Sequence, residues 1–264
     1  HRNRPARLEI KEEMVDDTPE EKLVVHRRKD WRVVALDRKS GKVVWDAAER
    51  AGFELLAREA EWVSAPLYFE GAVYVTVLER AGDLRASLVR LDASSGDVRF
   101  RTFLVSRSAY DHLGLGSPPP APTTSPRGHV LVATGLGAAA AIHPSQGEVV
   151  WIARYPVVPQ GSEPTIVLSG RRFRSSVPLG ERSPLVVAPV DGVDVLAFDP
   201  DTGRLSWSAA RSDARLCVAG PDGQVLLLGR RLVARDRETG RVLFRGPALN
   251  EEVIAAPAVY AKEL

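Results

Sequence analysis

Five stretches of the chain repeat one pattern, in which a Gly stands four residues before an aromatic residue. The fullest copy is VLAFDPDTGRLSW (195–207), with Asp199, Gly203 and Trp207 at equal spacing. Successive copies are 55, 51, 56 and 37 residues apart. Self-similarity at this period indicates a repeat architecture, in which each unit buries its apolar surface against its neighbours. The aromatic residues are Trp45, Phe100, Trp151, Trp207 and Phe244, and the glycines are Gly41, Gly96, Gly147, Gly203 and Gly240.

Each copy predicts a β-hairpin. In the fullest copy Pro200 pre-sets φ for the turn, Asp199 can accept hydrogen bonds from turn amides, and Gly203 can adopt a positive φ. Apolar residues flank the turn on both sides, as in paired strands. Asp occupies the first position in four copies, and His143 replaces it in the third.

The segments between the motifs complete four-stranded units. Residues 65–103 predict strands at about 67–69, 72–78, 86–92 and 97–103. Repeated four-stranded antiparallel units are the blades of a β-propeller, and about five blades are expected here. The first unit has only three strands, and the chain ends in a lone strand within a partial blade at 251–264. That strand is expected either to complete the first blade or to begin a further blade of a larger propeller, and the non-Met start favours the latter.

Residues 1–21 are charged and predict a linker or disordered terminus, which places the propeller at 22–264. Two long connections, 102–121 and 152–182, are expected on the face opposite the motif hairpins. Because these connections differ from one another while the hairpins are alike, they form the candidate partner face. Its candidate residues are Tyr110, His112, Arg171, Arg172 and Arg174.

The pattern Ala-x-Asp-x-x-[Ser/Thr]-Gly-x-x-x-Trp resembles the repeat of the pyrroloquinoline-quinone (PQQ) propeller family. Two copies match it throughout, beginning at Ala35 and Ala197, and a third begins at Ala234 with Phe in place of Trp. The resemblance covers about 22–264. It implies that each aromatic ring docks between neighbouring blades and that the motif Gly packs on the ring.

The family contains both quinone-dependent dehydrogenases and non-catalytic propellers, such as the BamB-like proteins of outer-membrane barrel assembly. Its dehydrogenases carry a vicinal disulfide, calcium-ligating side chains and often a haem-binding Cys-x-x-Cys-His. This chain has one cysteine, Cys217, which excludes the disulfide and the haem motif. The resemblance therefore predicts a non-catalytic interaction or scaffold module of the periplasm or cell envelope, with a protein partner and no cofactor, metal or catalytic residue. The alternative is part of a quinone-dependent dehydrogenase or other enzyme whose active site lies outside this stretch.

Composition limits the kinds of partner that the chain is expected to bind. A net charge of +2 with 27% charged residues describes an ordinary surface. The basic clusters VHRRKD and GRRFRSS are too short for a nucleic-acid groove, so no nucleic-acid binding is predicted. No apolar run approaches the ~18 residues needed to cross a bilayer, and no signal peptide is evident.

Three further features have structural interpretations. Gly135-x-Gly137-x-x-Ala140 partly matches a dinucleotide-binding fingerprint but is followed by a turn signal rather than a helix, so a hairpin turn is expected. His143 is expected to cap its turn, since no second ligand stands at metal-binding spacing in the sequence. His129 is interpreted as a surface strand residue, and Cys217 as a buried one.

Overall fold

The structure is a computed structural model, and its described residues are strands and turns almost throughout. It describes residues 7–15, 18–26, 32–53, 60–108, 119–157, 184–189, 192, 194–211, 214, 216–220 and 222–248. The strands within these ranges are β1 (Arg7–Val15), β2 (Thr18–His26), β3 (Val34–Leu36), β4 (Val43–Asp46), β5 (Ala60–Val63), β6 (Leu67–Phe69), β7 (Ala72–Ala81), β8 (Asp83–Asp92), β9 (Val98–Ser108), β10 (Thr123–Thr124), β11 (Val130–Ala133), β12 (Ala138–Ile142), β13 (Val149–Arg154), β14 (Leu185–Val187), β15 (Asp194–Phe198), β16 (Leu205–Ala210), β17 (Leu216–Ala219), β18 (Gln224–Leu228), β19 (Leu232–Asp236) and β20 (Val242–Arg245).

The strands form successive antiparallel sheets that follow chain order. The third blade is the meander β10-β11-β12-β13, and the fifth is β17-β18-β19-β20. The second blade has the order β5-β7-β8-β9, with β6 also paired to β7. Within the described ranges the first blade comprises β3 and β4, and the fourth comprises β14, β15 and β16. The β-propeller predicted from the sequence is confirmed.

The strands of the second blade are longer than the sequence predicts. β7 and β8 pair without a break from Ala72↔Asp92 to Ala81↔Asp83, so the expected loop shrinks to a bend at Gly82. Gly82 adopts a φ of +82°, which lets the chain reverse in so little space.

The charged N-terminal segment contains a hairpin where the sequence predicts a linker or disordered terminus. β1 and β2 pair in continuous register from Arg7↔His26 to Val15↔Thr18. Apolar residues alternate with charged ones at the start of β1, over Arg7–Lys11, and this period of two favours a strand. The start of the propeller at residue 22 stays a prediction.

Each motif hairpin contains a β-bulge directly before the aromatic residue. In the third blade Ile142 pairs with Val149 and Ala141 with Trp151, which leaves Val150 as the extra residue. The same register shift occurs in the other four motif hairpins. Such a bulge increases the local twist and re-aims the side chain that follows it.

The core lies between the blades. At the junction of the third and fourth blades, Leu131 and Ala141 pack with Leu185 and Phe198. β12 is Ala-Ala-Ala-Ala-Ile and is buried along its whole length. A strand covered on both faces gains stability from apolar side chains at every position, so it lacks the alternation of a half-exposed strand.

Candidate functional site

Four of the five motif aromatic residues dock on the following blade, each on its motif glycine. A Cβ atom added to Gly203 would lie 2.5 Å from Cε3 of Trp151, closer than van der Waals contact allows. Only a glycine permits the backbone to approach the ring this closely. The four docked pairs are Trp45 with Gly96, Phe100 with Gly147, Trp151 with Gly203, and Trp207 with Gly240.

The docked indoles also donate hydrogen bonds across the junctions. Trp45 Nε1 donates to the Ala93 carbonyl oxygen at 2.9 Å, Trp151 Nε1 to that of Pro200 at 3.0 Å, and Trp207 Nε1 to that of Arg237 at 2.7 Å. Each acceptor is the residue directly after the motif Asp. A buried indole N–H needs such a partner, so ring and turn are fixed together.

A different side chain supplies this hydrogen bond where the motif residue is Phe100, which has no N–H. The equivalent acceptor is the Pro144 carbonyl oxygen, and it accepts from the Tyr74 hydroxyl at 2.8 Å. Tyr74 lies in the same blade as Phe100, with ring centroids 6.4 Å apart. Burial raises the pKa of the Tyr74 phenol, so the hydroxyl keeps its proton. Tyr74 therefore takes the place of the missing indole donor.

The motif aspartates cap their own turns. Asp199 Oδ1 accepts from the Thr202 backbone N–H at 2.8 Å and from the Thr202 hydroxyl at 2.9 Å. Asp37 and Asp236 are held in the same way by Ser40 and Thr239. The carboxylate oxygen accepts both bonds, so the motif aspartates are occupied within the turns.

Hydrogen bonding lowers the pKa of each motif Asp below its ordinary value. The side-chain hydroxyl is the largest contributor at Asp37, Asp92 and Asp236. At Asp92 the Arg99 guanidinium adds to the effect. At Asp199 burial opposes ionisation, but the bonds from Thr202 and the Asp201 amide outweigh it and the pKa is again lowered.

The series of docked pairs is open at both ends within the described residues. Phe244, predicted to dock like the other motif aromatics, is 52% exposed, whereas Trp151 and Trp207 are 9% exposed. Gly41 has no atom within 4 Å of an added Cβ, so the ring of Phe244 does not lie on it. Both ends are open because docking has one direction. Each ring packs on the glycine of the following repeat, and each glycine receives the ring of the preceding repeat.

The two faces of the blades differ in what they present. One face, which we call the motif-turn face, carries the motif turns and the short turns at 70–71, 125–128 and 222–223. Strands β9 and β13 start at motif turns and run to the other face, which we call the connection face. The long connections leave from there. Tyr110, His112, Arg171, Arg172 and Arg174 lie outside the described residues, so the candidate partner face stays a prediction.

His143 shares a hydrogen bond with Ser145, with 3.2 Å between Nδ1 and Oγ, and so caps its turn as expected. No second histidine stands at metal-binding spacing in the sequence, but the fold brings the ring centroid of His129 to 6.4 Å from that of His143. The spacing in the sequence does not reveal this pair, because the two histidines are fourteen positions apart. The signal is the strand register: Val130 pairs with Ile142, so the next residues outward are His129 and His143.

The remaining sequence features have structural roles. Residues 134–137 turn from β11 into β12 with positive φ at Gly135 and Gly137, so the expected hairpin turn is confirmed. Cys217 is buried in the cluster between the fourth and fifth blades. In the part of the chain that the structure describes, no three His, Cys, Asp or Glu side chains are grouped to hold a metal ion. Nor is any helix in this part long and apolar enough to span a membrane.

A family model described as "Outer membrane protein assembly factor BamB" matches residues 105–219 and 191–264, together more than half of the chain. BamB from Moraxella catarrhalis aligns with 86% of this chain and 61% of its own, at 20% sequence identity and a TM-score of 0.56. Sqt1 from Saccharomyces cerevisiae aligns with 89% of this chain and 62% of its own, at 13% identity and a TM-score of 0.56.

The chain thus spans about three-fifths of the length of these two structures. At these identities the likeness establishes the fold alone. A quinohemoprotein alcohol dehydrogenase, ADHIIG from Pseudomonas putida HK5, aligns at a TM-score of 0.49 and 17% identity over 82% of this chain and 39% of its own, too weakly to bear on activity. No curated protein matches the chain.

Proposed function

Because the chain belongs to the PQQ-like repeat family, whose matching model is described as outer membrane protein assembly factor BamB, we propose that it acts as a protein-interaction or scaffold module. One observation carries the proposal: the repeated motif residues hold blades together. Trp151 and Gly203 meet at a junction, and Asp199 caps a turn. A frame built this way holds its variable loops in a constant arrangement, as recognition surfaces require.

The partner binds the connection face in this proposal. The motif turns are short and alike, with an Asp cap in four of the five, and offer little to distinguish one partner from another. The connections that follow β9 and β13 begin after Ser108 and Arg154, later than the sequence predicts, and they differ in length and composition. Arg171, Arg172 and Arg174 concentrate positive charge in the second, which favours an acidic protein surface.

Photo-crosslinking in the native host tests this proposal. A photoreactive phenylalanine replaces Tyr110 in the full-length protein, and a second variant carries it at Leu205, an exposed residue beside a motif turn. We expect a discrete protein adduct from position 110 and none from position 205. Adducts from position 205 alone would place binding on the motif-turn face, and adducts from neither position would contradict an interaction through these surfaces.

Matched charge reversals test the role of the arginines. In the position-110 crosslinking variant, changing Arg171, Arg172 and Arg174 to Glu should abolish the adduct and leave the thermal midpoint unchanged. The control variant changes Lys42, Arg204 and Arg241 to Glu. These residues are exposed on the motif-turn face, and their reversal alters the net charge by the same amount as the first variant. Loss of the adduct in both variants would indicate a general charge effect and would contradict a specific connection-face site.

A further inference from the structure

Two histidines face each other across neighbouring strands of the third blade. Val130 pairs with Ile142 and Leu131 with Ala141, and the same antiparallel register sets His129 opposite His143. Their ring centroids are 6.4 Å apart and their planes are inclined by 50°. Directly opposed residues on antiparallel strands have Cβ atoms about 4.5–5.5 Å apart, so their side chains can reach a shared atom.

The pair is specific to this blade. In the second blade Asp92 lies opposite Ala72, and in the fifth blade Asp236 lies opposite Gln224. The third blade has His in place of the motif Asp and also has His on the facing strand. Together the two residues bring two imidazole rings to facing positions, although the turn itself needs only a single capping acceptor.

Each ring has a nitrogen that the fold does not use. The Nδ1 atom of His143 lies 3.2 Å from the Ser145 hydroxyl, which leaves Nε2 free of the capping role. The Nδ1 atom of His129 is buried and has no hydrogen-bond partner among the described residues. An unpaired buried nitrogen costs stability, and a bound ion relieves that cost.

We propose that His129 and His143 form a two-nitrogen site for a divalent transition-metal ion such as Zn²⁺, Ni²⁺ or Cu²⁺. Imidazole is a preferred ligand of these ions. Two imidazoles on a tetrahedral ion, with metal–nitrogen distances of about 2.0–2.1 Å, have centroids about 5 Å apart. The rings therefore move roughly 1 Å closer on binding, a shift within reach of small side-chain rotations. Water completes the coordination.

The ion fastens strand β11 to the end of β12 beside the motif turn. Because the unfolded chain does not hold these two residues together, the ion binds the folded state preferentially and raises the unfolding midpoint. The site is independent of the proposed interaction function, since the motif turns and the connections lie on opposite faces.

Calorimetric titration of the full chain with NiCl₂ and ZnCl₂, combined with thermal unfolding, tests the site. The His143→Asn variant keeps a side-chain acceptor that can cap the turn, and it removes the imidazole without introducing a carboxylate that could ligate the ion. The His129→Gln variant places at the facing position the residue found opposite Asp236. We expect saturable binding of one ion and a higher midpoint in the wild type, and loss of both in each variant.

A third variant controls for the other histidines, with His1, His26 and His112 all changed to Gln. It should bind as the wild type does. The proposal is overturned if the wild type binds no ion, if His143→Asn and His129→Gln bind as the wild type does, or if the triple variant loses binding. Circular dichroism without metal establishes whether each variant is folded. If one of the two single variants does not fold, the other is enough to test the proposal.

Discussion

The ring of Trp151 lies against Gly203 of the following blade, so closely that an added Cβ would come within 2.5 Å of the indole. The same indole donates to the carbonyl oxygen of Pro200, in the turn that contains Gly203. The aromatic residue and the glycine of one motif therefore act in different junctions. Each of the three internal copies places its ring on the next blade and receives on its glycine the ring of the previous blade.

Removal of a docked ring is expected to destabilise the protein strongly. Trp207 is 9% exposed, and Trp207→Ala should lower the free energy of unfolding by about 3–5 kcal/mol, because a large buried side chain is lost and a cavity remains. Phe244 holds the same motif position but is 52% exposed, so Phe244→Ala should cost less than about 1 kcal/mol. Urea unfolding of both variants measures the difference, and equal losses would contradict the docking assignment.

Tyr74→Phe is expected to destabilise the protein by about 1–3 kcal/mol, because the Pro144 carbonyl oxygen loses the donor that replaces an indole N–H. The ring and its packing against Phe100 remain. Tyr68→Phe is the matched control, since Tyr68 is 70% exposed. The urea midpoints of the two variants test this role. If Tyr74→Phe lowers the midpoint no more than Tyr68→Phe does, the Tyr74 hydroxyl does not replace the indole donor.

Acid is expected to weaken the motif turns. The pKa of Asp236 is lowered in the folded state, so its charge stabilises the fold above the unfolded pKa of about 3.9, and this contribution is lost as the pH falls towards the folded pKa. The urea midpoints of the wild type and Asp236→Asn should differ by a constant amount above about pH 5 and converge below about pH 4.

Thr239→Ala provides the control for the acid experiment, since it removes the hydroxyl donor but keeps the carboxylate. The folded pKa of Asp236 should then lie closer to its ordinary value, so the acid-induced loss of stability should be smaller and should be complete at a higher pH than in the wild type. A difference between wild type and Asp236→Asn that persists unchanged to pH 2.5 would contradict the capping role.

The chain is expected not to bind PQQ. Its single cysteine, Cys217, is buried in a junction and cannot form the vicinal disulfide of the family's dehydrogenases. Equilibrium dialysis with PQQ, with and without Ca²⁺, measures this, and a quinone-dependent dehydrogenase serves as the positive control. Saturable binding of one quinone per chain would support the enzymatic alternative.

Local chemistry made much of the fold predictable. The motif turns follow from Asp199, Pro200 and Gly203, whose conformational preferences all agree. The five motif glycines adopt φ between +67° and +78°, as the turn requires. Repetition then makes the blades evident, because one hairpin signal occurs five times.

Other features depend on contacts between distant residues and could not be read from a local pattern. The bulge at Val150 places two successive valines in exposed positions, which breaks the alternation expected of a strand. Tyr74 is 70 residues from its acceptor Pro144. His129 and His143 meet only because of the strand register. In each case the signal is a pairing between segments rather than a property of either segment.

The central claim is that the repeats are joined by rings packed on the glycines of the following blade. Gly203 and Gly41 have nearly the same φ, +69° and +67°, but Gly203 carries a ring, whereas no atom of the described residues lies within 4 Å of a Cβ at Gly41. Alanine introduces the same backbone strain at either position, so the difference in unfolding free energy between the two variants measures the ring contact. Urea unfolding of Gly203→Ala and Gly41→Ala is the most direct measurement: we predict that Gly203→Ala costs about 1–3 kcal/mol more, and equal unfolding free energies would contradict the account.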